Sequence, residues 1–181
     1  KNALIVKDLK KDDEKILECN EDSPTSLFVF KTITDPFVGK TSYFKVTSGT
    51  LYTGMTLYNP KEKEDEKIVK IYQPMGKNLI EVDKLHAGEI GAFTRSTTCH
   101  TNDTLCDPRS PILIPDTEYS KPYYKKAIVP LGKSNEEKIA NAINRLLEED
   151  PTLIYEYNEE TKHHTFFTCF IHVNKTAWQI E

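Results

Sequence analysis

The residues best suited to metal binding in this 181-residue chain are its four cysteines and a few histidines. Cys99-His100 and His163-His164 would supply ligand types that zinc prefers. Zinc sites use short, regular spacings, whereas these cysteines are far apart in the chain and form no CxxC pair. The spacing therefore predicts ordinary reduced thiols and no bound metal at Cys19, Cys99, Cys106 and Cys169.

Motifs for covalent catalysis are also absent from the sequence. Ser, His and Asp all occur, but no GxSxG nucleophile elbow is present. The adjacent acids Glu148-Glu149 fall at the end of a predicted helix, where charges usually face solvent. No GxxxxGK[ST] loop occurs either, so the chain lacks the phosphate-binding loop of a P-loop NTPase. We therefore predict no catalytic site and no cofactor in this chain.

The charge balance limits the kind of nucleic-acid contact that the chain can make. The formal net charge is −4, and only three of the 24 basic residues are arginine. Lysine contacts phosphate as a point charge and lacks the bidentate fork of arginine. Any RNA contact is therefore expected to be local and sensitive to salt. No apolar run approaches the roughly 20 residues of a membrane helix, and no signal-peptide core is present, which favours the cytoplasm.

The central element of the sequence is the stretch Phe28–Gly54. Its β-branched and aromatic runs predict a strand, a loop at Asp35-Pro36, a second strand and a turn at Gly49 into a third. Strands at roughly ten-residue spacing predict a small closed barrel or sandwich over residues 26–107. The predicted strands are Ser26–Thr34, Thr41–Ser48, Met55–Tyr58, Glu66–Gln73, Ile80–Val82 and Glu89–Thr94.

The segments on either side of the predicted barrel differ from it in composition. Residues 1–25 are polar and charge-rich, which predicts a tether from an upstream domain, although Ile5, Val6 and Leu9 could pair weakly with the barrel edge. Residues 108–122 hold four prolines, which predicts a linker because proline resists both helix and central strand.

Residues 123–181 have a different pattern of predicted elements, which includes a helix. They predict a strand over Tyr123–Pro130 and then an amphipathic helix over Asn135–Glu149, opened by a Ser134/Glu137 capping box. Two more strands follow, over Thr152–Tyr157 and Thr165–Phe170. Strand, helix, strand, strand is the opening of a split βαβ or ferredoxin-like unit. We expect this unit to be partial and to leave apolar surface that favours self-association.

Four blocks of sequence, in order, resemble bacterial elongation factor G, the ribosomal translocase. They are DPFVGKTSYFKVTSGTL, the HAGEIGA run, Asp103-Thr104-Leu105-Cys106 and the helix end Glu148-Glu149-Asp150-Pro151-Thr152. The resemblance implies the second, β-barrel domain of that factor followed by part of its third domain. The expected fold class is thus mainly β with α+β: a translation-factor β-barrel and a partial ferredoxin-like unit.

The resemblance also implies a function. The whole protein would be a translational GTPase that promotes GTP-dependent movement of tRNA and mRNA on the ribosome, and this chain would be an internal piece of it. GTP and Mg would bind in the missing first domain. This piece would contact small-subunit ribosomal RNA and pack against the GTPase domain of the same protein. Near its end the chain reads TCFIHVNKTAWQIE, where the family has Gly-Met-Gly and Glu-Leu-His segments, which leaves room for a paralogue.

The resemblance places the candidate contacts around the matched hairpins. The hydroxyls and lysines there suit ribose and phosphate, which position RNA without reading its sequence. The candidate residues are Lys40, Lys45, Ser48, Thr50, Tyr52 and Thr53. The alternative is that Tyr43, Phe44 and Tyr52 belong to the core and that Lys40 only solvates a loop.

Two other functions stay open from the residues themselves. The first is a self-sufficient β-barrel module that binds protein or RNA without any GTPase partner domain. The second, ranked far below, is a zinc enzyme built on the cysteines and histidines. A P-loop encoded upstream in the native gene would decide for the translational GTPase over the self-sufficient module.

Overall fold

The computed structural model describes residues 3–35, 39–96, 98–128, 136–158 and 163–168. The chain divides into two compact units, Lys1–Thr117 and Glu118–Glu181. The predictions about Pro36, the capping residue Ser134 and the C-terminal segment 169–181 fall outside the described residues.

The described part of the first unit contains these strands: β1 (Ala3–Asp8), β2 (Asp13–Glu18), β3 (Ser26–Asp35), β4 (Gly39–Ser48), β5 (Thr50–Tyr52), β6 (Thr56–Asn59), β7 (Glu64–Lys67), β8 (Ile71–Met75), β9 (Asn78–Val82), β10 (Lys84–His86), β11 (Ile90–Thr94), β12 (Thr104–Cys106) and β13 (Ile112–Leu113).

These strands form three antiparallel sheets. The largest has eight strands in the order β7-β6-β12-β3-β4-β11-β8-β9, and β10 pairs with β5 beside it. Alternate residues of both sheets point into one shared core, as the period of two requires. That core holds Leu27, Val29, Phe44, Val46, Leu51, Leu57, Ile68, Ile71, Leu85, Phe93, Cys99 and Leu105.

One glycine is required by the packing of this core. Gly91 lies opposite Phe44 in the pairing of β11 with β4. A Cβ built on Gly91 would lie 2.6 Å from Phe44 Cζ and would also overlap Leu85 Cδ1. The absence of a side chain at residue 91 therefore lets the two rings of Phe44 and Phe93 pack with centroids 5.4 Å apart.

The N-terminal segment departs from the sequence prediction. Residues 3–18 were expected to be a polar tether, but they form the β1–β2 hairpin, in register from Ala3↔Glu18 to Asp8↔Asp13. Val6 is buried in a second, smaller core with Cys106 and Ile112, and Phe28 packs against it. The hairpin is ordered because the outward-facing Phe28 and Cys106 of the large sheet need an apolar cover.

The predicted linker is also partly structured. Ile112 and Leu113, inside the proline-rich stretch, form strand β13 and pair with Asp8 and Lys7 of β1. Pro111 and Pro115 flank this short strand, so the prolines limit its length but do not prevent pairing at a sheet edge. The first half of the predicted linker thus belongs to the first unit.

The predicted strand Glu66–Gln73 is two strands in the structure, β7 and β8, separated by residues 68–70. Ile68 turns into the core because its N–H donates to Met55 O at 2.8 Å and its carbonyl accepts from Gly54 N at 2.7 Å. Val69 is 64% exposed as a result. The break lets β7 pair with β6 while β8 pairs with β11 and β9.

The described part of the second unit contains β14 (Tyr124–Ile128), α1 (Glu136–Glu149), β15 (Ile154–Asn158) and β16 (His163–Thr168). The three strands are antiparallel, in the order β14-β16-β15. Ile139 and Ile143 on one face of α1 are buried, and Leu153 and Tyr155 pack against them. Asp150 ends the helix as predicted, because its Oδ1 accepts from Thr152 N at 2.9 Å and Thr152 Oγ1 at 2.6 Å.

Candidate functional site

Lys40 lies at the start of β4, at one end of the large sheet. Its Nζ lies 3.3 Å from Nδ1 of His100, in the loop between β11 and β12. The Lys40 carbonyl accepts a 2.9 Å hydrogen bond from Arg95 N, and Arg95 is held at a φ of 65°. Lys40 is half-buried. Two basic side chains, Lys40 and His100, are therefore in contact, and we call this pair the basic cluster.

Lys45 lies in the middle of β4 on the opposite face from Phe44 and Val46, which are buried. Its cross-strand neighbours are Phe28 and Ile90. The side chain is exposed and forms no ion pair with any residue that the structure describes. Lys45 is therefore available to an outside partner, although the structure does not bring it together with Lys40.

Ser48 is fully buried. Its Oγ donates to Pro24 O at 2.7 Å and lies 2.7 Å from Ser26 Oγ. The pairing of β3 with β4 is irregular at this point, because Ser26 lies opposite Ser48 while the next residue, Leu27, lies opposite Val46. The prediction that Ser48 contacts a partner is corrected by the structure: the hydroxyl fastens the entry of β3 to the end of β4.

Thr50, Tyr52 and Thr53 lie together on β5 and the turn after it. Thr50 Oγ1 lies 3.3 Å from Nδ1 of His86. Thr53 Oγ1 lies 3.2 Å from the carbonyls of both Val82 and Asp83 and can donate to them. Tyr52 is 51% exposed, so it is a surface residue and not the core residue of the alternative interpretation.

The structure adds two residues that sequence reasoning missed. Lys84 lies directly opposite Tyr52 and His86 opposite Thr50 in the pairing of β10 with β5. His86 Nδ1 is 3.1 Å from Glu21 Oε2, and the backbone N–H of His86 donates to Glu89 Oε2 at 2.6 Å. A short three-residue strand gives little periodic signal, so the sequence offered no way to pair Lys84 with Tyr52.

The cysteines that the structure describes do not form a metal site. Cys19, Cys99 and Cys106 are free thiols, and no cluster of three or more metal-ligating side chains occurs among the described residues. Burial raises the pKa of the Cys99 thiol well above its usual range, and nearby Asp103 adds to the effect. Burial likewise raises the pKa of the Cys106 thiol.

These pKa shifts predict selective thiol chemistry. Since the thiolate is the nucleophile, we expect Cys99 and Cys106 to react with an aromatic disulfide reagent at least about tenfold more slowly than half-buried Cys19. Peptide mapping after brief labelling at pH 8 measures the three rates separately. Labelling in urea, where all cysteines should react alike, is the control. Equal rates for Cys19 and Cys99 in the native protein would contradict the prediction.

Comparison with known proteins gives the same order of domains as the sequence blocks. The family model described as Elongation factor G domain 2 matches residues 24–108, and the model for Elongation Factor G, domain III matches residues 119–168. Elongation factor G of Salinibacter ruber is 37% identical over 141 residues, which are 78% of this chain and 20% of that protein. The match thus spans a fifth of the length of this relative.

A solved structure supports the same assignment at the level of the fold. A crystal structure of a protein from Thermus thermophilus superposes with a TM-score of 0.75 at 30% identity, over 86% of this chain and 24% of that one. The fold class predicted from sequence is confirmed: mainly β, with a barrel of the domain 2 type and part of a domain III. The chain therefore belongs to the elongation factor G family, of which it contains domain 2 and part of domain III.

Proposed function

We propose that this chain is the ribosome-contacting and domain-packing portion of a factor that promotes GTP-dependent translocation in cytoplasmic protein synthesis. The observation that carries the proposal is the ordered match of two consecutive elongation factor G domains. The chain has no P-loop, so GTP and Mg would bind in another part of the full-length protein. The chain itself would bind and position, and would not hydrolyse GTP.

The proposed contacts lie at three places on the first unit. Lys45 is exposed on β4, and Tyr52 and Thr53 are exposed on β5 and the turn after it, with Thr50 and Lys84 beside them. Lys40 contributes from the end of the sheet, near His100. Lysines and hydroxyls of this kind fit phosphate and ribose, so small-subunit ribosomal RNA is the partner that we propose. Domain III, partial in this chain, would add packing surface for other domains or for a second copy.

The net charge of the chain sets the expected strength of this binding. With a formal charge of −4, the body of the chain repels RNA, so only local lysine contacts oppose that repulsion. We therefore expect weak binding to small ribosomal subunits that fades steeply as salt rises. Fluorescence anisotropy of the labelled chain, titrated with subunits at several salt concentrations, measures both the affinity and the salt slope.

Single lysine variants test which surface makes the contact. Lys45→Ala and Lys84→Ala should each weaken binding and lower the salt slope by about one. Lys77→Ala, in the exposed turn between β8 and β9, is the matched control and should leave both unchanged. Wild-type slopes in the Lys45 and Lys84 variants would remove both residues from the interface. Tight, salt-insensitive binding to a partner other than the ribosome would favour a self-sufficient interaction module instead.

A further inference from the structure

One row of residues crosses five strands of the large sheet in direct register. Lys31 of β3 lies opposite Tyr43 of β4, which lies opposite Ala92 of β11. Ala92 in turn lies opposite Tyr72 of β8, and Tyr72 opposite Glu81 of β9. We call these five residues the tyrosine row. Ala92, the smallest side chain in the row, therefore has one tyrosine on each side, Tyr43 and Tyr72.

The row faces away from the core. Phe44, Phe93 and Ile71, which adjoin its members along β4, β11 and β8, all belong to the buried core. Since successive residues of a strand point to opposite faces, Tyr43, Ala92 and Tyr72 point outward. Ala92 is nevertheless fully covered, while both tyrosines remain half-buried. The outer face therefore carries two partly accessible rings, with Cα atoms about 10 Å apart and Ala92 between them.

The charges around the row are mostly positive. Lys31 and Lys45 are exposed and form no ion pair with any residue that the structure describes. Glu81, the acid at the far end, is paired with Lys70 at 2.8 Å. On β3, β4 and β11 the two neighbouring rows contain no acid: one is Phe28, Lys45 and Ile90, and the other is Ile33, Thr41 and Thr94. The side of the row at Lys31 and Tyr43 therefore attracts anions.

We propose that the tyrosine row is a stacking platform for unpaired bases of an RNA, with phosphate contacts from Lys31, which lies opposite Tyr43 on β3, and from Lys45, two residues further along β4. The inference rests on the proposed function, since it names how the barrel would hold its RNA partner. Aromatic rings stack on bases of any sequence, and neighbouring cationic side chains follow the backbone. A protein partner fits less well, because lysine is depleted from the centres of protein interfaces and here flanks the rings.

Paired substitutions separate the rings from their hydroxyls. Tyr43→Leu with Tyr72→Leu removes both rings, whereas Tyr43→Phe with Tyr72→Phe keeps them. The probes are a ten-nucleotide single-stranded oligoadenylate, the same strand in a duplex, and small ribosomal subunits. We expect the leucine pair to weaken single-strand binding at least about tenfold with an unchanged salt slope, and the phenylalanine pair to change it less than about twofold. Tyr123→Leu, at a ring that is 90% exposed in the second unit, is the matched control.

Lysine variants complete the experiment. Lys31→Ala and Lys45→Ala should each lower the salt slope by about one while the wild-type tyrosines still prefer single strand over duplex. NMR titration at millimolar concentration reads even weak binding and shows, from the amide shifts of the core, whether each variant is folded.

Three results would overturn the platform. They are wild-type oligonucleotide affinity in the leucine pair, equal losses in the leucine and phenylalanine pairs, and equal binding of duplex and single strand. If the leucine pair also binds small subunits normally while Lys45→Ala does not, the platform fails and the proposed function stands. If the wild-type chain binds oligonucleotide through the rings but never binds subunits, the proposed function fails instead. Cross-linking of Tyr43 only to ribosomal proteins would identify the row as a protein surface and reject the RNA platform.

Discussion

Replacing Gly49 with alanine is expected to destabilise the first unit by about 3–5 kcal/mol, which would leave the barrel marginally folded or unfolded. Gly49 joins β4 to β5 at a φ of +73°. An alanine in this left-handed region costs about 1–2 kcal/mol because its Cβ crowds the following carbonyl. The rest of the expected loss comes from a direct collision with neighbouring backbone.

The collision is with the segment that leads into β3. A Cβ on Gly49 would lie 2.6 Å from Ser23 O and 2.6 Å from Thr25 Cα, distances that real Cβ atoms essentially never show. The segment cannot easily withdraw, because Gly49 N donates to Asn20 O at 2.8 Å and Thr25 Oγ1 donates to Thr50 O at 2.9 Å. Backbone held in this way yields less than a flexible side chain does.

Gly54→Ala is the matched control for the cost of placing alanine at a left-handed φ. Gly54 has a φ of +83°, but a Cβ there meets nothing within 4 Å. It should therefore lose only about 1–2 kcal/mol. Urea unfolding followed by the NMR amide signals of Phe44 and Val46 reports the first unit alone. Equal losses in the two variants would show that the Gly49 turn relaxes around a Cβ and that the close approach is not a constraint.

The same turn shows how much of the fold the sequence could predict. The two long strands that precede it, β3 and β4, are predicted to within a few residues, because their β-branched and aromatic runs end at turn residues. The β1–β2 hairpin was missed because its stability depends on Phe28 and Cys106, which are distant in sequence. A local pattern of charged and apolar residues does not show that such a cover exists.

The candidate site was predictable only in part, for a similar reason. The exposed positions of Lys45 and Tyr52 follow from strand alternation, once Phe44 and Leu51 are known to be core. The burial of Ser48 could not be predicted from alternation along β4, because the pairing of β3 with β4 shifts register between Val46 and Ser48. The tyrosine row depends on the register of five strands, and pairings such as Ala92↔Tyr72 involve residues about twenty positions apart. The register between strands so far apart in sequence is set by packing of the core and cannot be predicted from the sequence of either strand alone.

The second large effect is expected at Asp103, the residue before β12, which is 2% exposed. Its Oδ2 accepts from Asn59 Nδ2 at 2.9 Å and from His100 N at 2.8 Å, and Lys61 Nζ lies 3.9 Å from Oδ1. Asp103→Ala would leave the buried amide of Asn59 and the His100 N–H without acceptors. We expect a loss of about 3–5 kcal/mol, because a broken buried polar network costs its full desolvation penalty.

Two further variants isolate the role of the carboxylate. Asp103→Asn keeps one carbonyl oxygen for both donors and should lose only about 1–2 kcal/mol. Asp116→Ala removes the other carboxylate bound to Lys61, at 2.6 Å, but Asp116 is 59% exposed and should lose less than about 1 kcal/mol. Urea unfolding read at the amides of the first unit ranks the three variants. A loss in Asp103→Ala no greater than in Asp116→Ala would contradict the prediction.

Asp103→Ala should also act on the basic cluster before it unfolds the barrel. The bond from His100 N to Asp103 Oδ2 fixes the loop between β11 and β12, and His100 Nδ1 lies 3.3 Å from Lys40 Nζ. Without the carboxylate, the loop loses the anchor that holds His100 beside Lys40. In Asp103→Asn, which should remain folded, one neutral amide oxygen replaces the carboxylate as acceptor for both Asn59 and His100, so this anchor is weakened; amide hydrogen exchange therefore ought to rise first at His100 and Asn102 while β3 and β4 stay protected. Uniform loss of protection across the first unit would mean that Asp103 supports the whole barrel equally and does not hold this loop in particular.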